Sequence, residues 1–170
     1  MSILKLIKLA DVFTAANLVC GLLAMIFSIN SLFFVASIFL FSSVFFDFLD
    51  GRIAYLLKEQ NNFGKELDSL SDIVSFGVAP AIFFYCLSSR STVVVLSIVF
   101  FVVCGMLRLA RYNITKTKDF VGVPITVNGV LFPVLYLLAV QVPIILTAIP
   151  FVCLVMGFLM VSNITVRRVF

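Results

Sequence analysis

Apolar residues run along this chain in long, nearly unbroken stretches that cover roughly residues 11 to 29, 32 to 56, 65 to 88, 92 to 112, 121 to 140 and 143 to 162. Each is close to the ~20 residues that an α-helix needs to cross the hydrocarbon core of a bilayer. A membrane barrel would alternate apolar and polar positions with a period of two, and these runs do not. Helices also satisfy every backbone polar group internally, as a lipid surrounding demands. The pattern predicts an all-α integral membrane protein with six transmembrane helices, forming one domain over residues 1–170. Residues 1–10 are expected as an interfacial N-terminal segment, because Lys5 and Lys8 stand three apart on a short amphipathic stretch.

Composition sharpens this reading. At 63% hydrophobic and 12% charged, the chain has too little polar surface to cover a soluble domain of its size. Lys5 and Lys8 ahead of an apolar run resemble the start of a signal peptide, but no small-x-small cleavage site follows and a second span begins at once. The first helix is therefore expected to be retained.

Six spans put the two ends of the chain on one side, with the turns near residues 57 to 64 and 112 to 120. Every basic residue except Arg90 lies there: Lys5, Lys8, Arg52, Lys58, Lys65, Arg108, Arg111, Lys116, Lys118, Arg167 and Arg168. The positive-inside rule assigns that side to the cytoplasm and the protein to the cell membrane. No nucleic-acid partner is expected. The chain has no histidine, which excludes Ser-His-Asp and Cys-His nucleophilic schemes and His-ligated zinc. Cys20, Cys86, Cys104 and Cys153 are scattered through the spans with no C-x-x-C, as buried small hydrophobes would be.

One polar cluster breaks the apolar pattern, the run D-F-L-D-G-R-I-A-Y-L-L-K-E-Q-N-N-F-G-K-E-L-D-S-L-S-D from Asp47 to Asp72. Carboxylates inside a bilayer are costly unless something binds them. Asp47, Asp50, Gly51 and Ala54 share an arc of about 100° on the second helix, and Gly64, Asp68, Ser71, Asp72 and Ser75 cluster likewise on the third. With the turn near residues 57 to 63, Asp50 lies about 11 Å up one helix and Asp68 about 9 Å up the other, so the four aspartates can converge just inside the cytoplasmic boundary. An oxygen-only donor set of this kind favours hard ions, Mg²⁺ or Mn²⁺ ahead of Ca²⁺. A pair of ions would neutralise a diphosphate. The plainer alternative, acids paired with Arg52, Lys58 and Lys65 at the interface, suits Glu59 and Glu66 better than the four aspartates. A transport reading explains carboxylates in a membrane but not the glycines beside them.

The spacing resembles the signature of the CDP-alcohol phosphotransferases, D-x-x-D-G-x-x-A-R-x8-G-x3-D-x3-D, with Asp47, Asp50, Gly51, Ala54, Gly64, Asp68 and Asp72 in register and Tyr55 where that family carries Arg. The resemblance extends over nearly the whole chain. It implies six helices around a cytoplasm-facing polar cavity, usually in a homodimer among membrane lipids, with two Mg²⁺ or Mn²⁺ ions held by Asp47, Asp50, Asp68 and Asp72. It further implies that Asp72 is the general base and that Gly51, Ala54 and Gly64 border the cytidine nucleotide. Arg52 or Lys58 is expected to supply the charge that Tyr55 lacks.

L-D-S-L-S-D-I-V-S-F-G-V-A-P-A from Leu67 to Ala81, C-G-M-L-R-L-A-R-Y-N from Cys104 to Asn113 and F-V-G-V-P from Phe120 to Pro124 are similar to the serine-using branch of that superfamily. The expected substrates are then L-serine and CDP-diacylglycerol or its archaeal ether-lipid analogue. The I-T-V-N-G that follows Pro124 departs from that branch. Arg108 and Arg111 stand three apart near Asn113 and are candidates for acceptor binding, against the alternative of snorkelling to lipid headgroups. Thr14 and Asn17 are candidates for orienting the metal ligands, or else polar packing residues. Another acceptor, such as glycerol phosphate or inositol phosphate, and a non-catalytic cation-binding relative remain open at this stage.

Overall fold

The computed structural model describes residues 7–58, 61–114 and 120–166. Among these the chain forms six helices: α1 Leu9–Ile29, α2 Phe33–Leu56, α3 Asn62–Leu87, α4 Thr92–Ile114, α5 Ile125–Gln141 and α6 Pro143–Val161. Five are long and apolar enough to cross a membrane, and α5 is shorter. The expected fifth span loses its first residues to a turn. There β1 (Phe120–Val121) pairs antiparallel with β2 (Thr165–Val166), Gly122 adopts φ +82°, and Pro124 precedes the helix. A Cβ on Gly122 would run into the Met160 carbonyl, so that left-handed turn requires glycine.

The first helix begins at Leu9, slightly before the expected start, because the Asp11 carboxylate accepts a hydrogen bond from the Lys8 backbone N–H at 2.8 Å. An acidic group at the third helical position thereby satisfies a donor that the helix end leaves open. Lys5 and the rest of residues 1–6 of the expected interfacial segment lie outside the described residues, as do Glu59, Lys116, Lys118, Arg167 and Arg168.

Helix α3 is the centre of the bundle: 56% of its span is buried in the protein, against 28–39% for the other four long helices. It is α-helical from Asn62 to Asp72, opens into a π turn over Ile73–Val78, and resumes as α-helix from Ala79 to Leu87. Pro80 has no N–H to offer the preceding turn, and the Ala79 N–H reaches back five residues to the Val74 carbonyl.

Small residues let the neighbours come close. A Cβ on Gly21 would stand 2.8 Å from the Ser75 Cα, so α1 and α3 meet almost backbone to backbone. At that contact Ser71 Oγ donates to the Thr14 carbonyl at 3.0 Å and Ser75 Oγ to the Asn17 carbonyl at 3.1 Å. Hydrogen bonds of this kind between membrane helices contribute about 0.6 to 2 kcal/mol each.

The other half of the bundle is held by aromatic packing. Phe83, Phe84, Phe101 and Phe132 are fully buried. Phe84 and Phe132 lie 4.8 Å apart between ring centroids, and Phe83 meets Tyr136 edge-on at 5.5 Å. Large apolar side chains such as Val19, Ile26, Phe34, Phe45 and Phe151 face outward, as a lipid surrounding allows. The fold is thus sealed at one half by rings. At the other it is left polar, between the beginnings of α1 and α3 and the ends of α2 and α4.

Candidate active site

Helix α2 delivers Asp47 and Asp50, and α3 delivers Asp68 and Asp72, from facing stripes. One carboxylate oxygen each of Asp47, Asp50 and Asp68 lies within 4.8 Å of the others. Asp50 is buried and accepts the Thr14 hydroxyl at 2.8 Å. Asp72 is buried and accepts the Asn17 amide at 3.3 Å. Its carboxyl stands beside that of Asp47, an approach that two carboxylates tolerate only with a proton or a cation between them.

This donor set fits divalent cations. Among the described residues nothing donates a hydrogen bond to the buried Asp68 Oδ1, which leaves an acceptor open for a cation. Every donor atom is a carboxylate oxygen, the chemistry of hard ions. Among the described residues the one basic side chain buried beside the cluster is Arg108, within electrostatic reach of Asp72 and Asp47 and over the Tyr112 ring at 5.6 Å. One guanidinium is too little charge for four carboxylates.

A cavity of about 440 Å³ opens directly above the cluster, within the size range of small-molecule sites. Asp50, Gly51 and Ala54 form one wall, Asn61, Asn62, Gly64, Lys65 and Asp68 another, and Ala10, Asp11, Thr14 and Tyr112 close it. A Cβ added to Gly51 would meet nothing within 4 Å, so the missing side chain is open cavity volume. Gly64 is tighter: its Cβ would stand 3.0 Å from Asp11 Oδ1, and its N–H donates to the Asn61 side chain at 2.7 Å. That bond caps α3.

Several expected residues stand elsewhere. Arg52 is exposed and lies over the Phe48 ring at 4.9 Å, outside the cavity wall. Lys58 does not continue the aspartate face, because α2 ends at Leu56 and Lys58 turns away, exposed, with φ +53°. Tyr55 is 73% exposed.

Arg111 also departs from expectation. Its guanidinium donates to the carbonyls of Val121, Met160, Val161 and Ser162 and to Asn163 Oδ1, at 3.0 to 3.4 Å. It caps the end of α6, whose last carbonyls lack partners within the helix, and does not face the cavity. Asn113 joins α4 to α3, accepting from Ser69 Oγ at 3.2 Å and donating to Glu66 at 3.0 Å.

Sequence reasoning did not single out Asp11, Lys65 or Tyr112 for the site. Asp11 had a local signal, its place three residues after the N-cap, and Lys65 adjoins Gly64. Tyr112 reaches the cavity only through the packing of α4 on α3.

Comparison with known proteins supplies the wider context. The family model for CDP-alcohol phosphatidyltransferases matches residues 7–167. The chain is 42% identical over 130 residues to the CDP-diacylglycerol–serine O-phosphatidyltransferase of Methanocaldococcus jannaschii, covering 76% of this chain and 61% of that protein. It is 38% identical over 130 residues to the protein of the same name from Bacillus subtilis, covering 72% and 71%. To the archaetidylserine synthase of Methanothermobacter thermautotrophicus it is 35% identical over 172 residues, covering 98% and 72%. The aspartates, the glycines and the helices that carry them thus lie within a match that takes in nearly the whole chain, which belongs to the CDP-alcohol phosphatidyltransferase family.

Proposed function

We propose that this chain is a single-domain membrane transferase, residues 1–170, that moves the phosphatidyl group of a CDP-lipid to the hydroxyl of L-serine and releases CMP. The observation that carries this reading is the convergence of Asp47, Asp50, Asp68 and Asp72 beneath an open cavity walled by Gly51, Ala54 and Gly64. The relatives named as serine transferases support serine as the acceptor. The archaetidylserine synthase supports an ether-lipid donor as the variant form, chemically equivalent at the diphosphate.

In this reading Asp47, Asp50 and Asp68, with Asp72 beside them, hold two Mg²⁺ or Mn²⁺ ions. Bound there, the ions supply positive charge that neutralises the diphosphate and its developing negative charge. Asp72 takes the proton from the serine hydroxyl, and Asn17 holds its carboxylate in place. The serine oxygen then bonds to the lipid-side phosphorus as the bond from that phosphorus to the CMP oxygen breaks. Arg108, buried beside the cluster, attracts the serine carboxylate in this reading, and Asn113 acts indirectly, through its bonds to Ser69 and Glu66. Gly51 and Gly64 admit the nucleotide because they add no side chain to the cavity.

The basic residues at this end of the helices support a cytoplasmic placement of the cavity in the cell membrane, where serine and CDP-lipid are both accessible. The functional unit is proposed as a homodimer among membrane lipids. The deciding experiment supplies the purified protein with Mn²⁺ or Mg²⁺, CDP-diacylglycerol or its ether analogue, and labelled serine. Formation of CMP and a serine lipid in equal amounts is expected. Release of CMP only with glycerol phosphate or inositol phosphate would refute serine as the acceptor.

A further inference from the structure

Among the described residues the cavity wall contains three carboxylates, Asp11, Asp50 and Asp68, and one basic side chain, Lys65. Helix α4 fixes that lysine in place. Its ammonium donates to the carbonyls of Tyr112 and Asn113, both at 3.3 Å, and lies 4.8 Å from the centre of the Tyr112 ring. These carbonyls belong to the last turn of α4, the partially negative end of a helix, which favours a cation. None of the three partners carries a formal charge, so among the described residues no carboxylate neutralises the ammonium. An ammonium has three N–H donors, and two are used. Among the described residues nothing accepts from the third, which is left for a ligand in the cavity.

We propose that Lys65 is the phosphate-binding cation of this cavity, contacting the nucleotide-side phosphate of the CDP-lipid. This rests on the function proposed above. The other cations near the motif are absent from the wall: Arg52 lies over Phe48, Lys58 has turned out beyond the end of α2, and position 55 is an exposed Tyr. Arg108 is buried beside Asp72 and Asp47, below the cavity. Lys65 follows Gly64 in sequence, so the residue that keeps one wall free of side chain is followed by the one that charges it. It enters from the first turn of α3, opposite the space left by Gly51.

The test is equilibrium dialysis of cytidine, CMP and CDP against the full-length protein in detergent, with and without Mn²⁺, for wild type, Lys65→Gln and Lys65→Arg. Steady-state kinetics with CDP-lipid and serine varied in turn accompany it. Lys65→Gln retains side-chain donors for the Tyr112 and Asn113 carbonyls while losing the charge, which separates charge from packing. The inference expects Lys65→Gln to weaken CDP and CMP about 10- to 100-fold, as loss of a charged hydrogen bond does. Cytidine should change less than twofold, and Lys65→Arg should stay near wild type. KM for the CDP-lipid should rise in parallel, and KM for serine should not.

An equal loss of cytidine and CDP would overturn the inference in favour of a packing role. No loss of either would overturn it outright, and a rise confined to the serine KM would move the cation to the acceptor. If wild type makes serine lipid and Lys65→Gln matches it, this inference alone fails. If wild type binds no cytidine nucleotide, the proposed function fails with it.

Discussion

Thr14 on α1 donates its hydroxyl to the Asp50 carboxylate on α2 at 2.8 Å, and one helical turn further along, Asn17 donates to Asp72 on α3 at 3.3 Å. The first helix contributes no aspartate to the cluster, yet it orients one carboxylate on each of the other two. Groups that hold metal ligands in place typically account for 10- to 100-fold in metal affinity or activity. Thr14→Val should therefore raise the Mn²⁺ concentration needed for half-maximal activity by about that factor, and Thr14→Ser should largely restore it. A Thr14→Val enzyme with an unchanged metal titration would show the hydroxyl to be a packing group only.

In the proposed mechanism the four aspartates divide by role. Chelator should abolish activity, and Mg²⁺ or Mn²⁺ should restore it. Asp→Asn at 47, 50 or 68 should weaken metal binding, read as a higher metal requirement. Asp72→Asn should leave CDP-lipid binding largely intact while stopping turnover. Full activity in excess chelator would end the metal reading.

The contact between Gly21 and Ser75 makes a stability prediction. A methyl at 21 would meet the Ser75 Cα at 2.8 Å, and backbone cannot yield as a side-chain tip does. Gly21→Ala should destabilise the protein by about 1–3 kcal/mol, read as a lower melting temperature in detergent. Activity should fall with it, because Asn17 and Asp72 lie one turn away. An unshifted melting temperature would mean that α1 and α3 separate easily.

Arg108 and Arg111 should behave differently despite their spacing. Arg111→Met removes donors to the end of α6 and should lower stability by about 2 kcal/mol without a selective change in serine KM. Arg108→Lys should instead act mainly on the serine dependence. Substrate titrations of both variants, alongside thermal melts, separate the two outcomes.

Orientation is testable by cysteine labelling in a background lacking Cys20, Cys86, Cys104 and Cys153. Lys58→Cys should react with an impermeant maleimide only from the cytoplasmic side and Ser89→Cys only from outside. The reverse pattern would place the cavity away from cytosolic serine.

Much of this architecture was legible in the chain because long apolar runs and fixed helical spacings survive folding unchanged. Asp47 and Asp50 at i, i+3, Asp68 and Asp72 at i, i+4, and Thr14 and Asn17 at i, i+3 each define a face, and a face is what periodicity encodes. Long side chains broke the rule. Arg108 and Arg111 begin on one face, but one runs to buried carboxylates and the other to the end of α6. Lys58, expected as a charge for the site, lies two residues past the point where α2 stops, so helical spacing does not fix its direction. The short α5 was overestimated because hydropathy does not register the turn that Gly122 and Pro124 impose. Lys65 gave no periodic signal at all, since its position depends on carbonyls contributed by another helix.

The π turn at Ile73–Val78 begins at the residue after Asp72, and it divides α3 into two independently phased halves. An extra residue in one turn rotates everything beyond it by about 100° relative to a continuous α-helix. The half that carries Asp68 and Asp72 is aligned by Ser71 on the Thr14 carbonyl of α1, and Ser75 within the π turn bonds to the Asn17 carbonyl beyond it. The half that carries Phe83 and Phe84 is aligned by the rings of Phe132 and Tyr136. Neither alignment dictates the other. Substitutions that rotate or repack the aromatic half can therefore accumulate without turning the aspartates away from their partners on α2, so a chemically constrained motif can persist within a helix whose remaining length adapts to its surroundings.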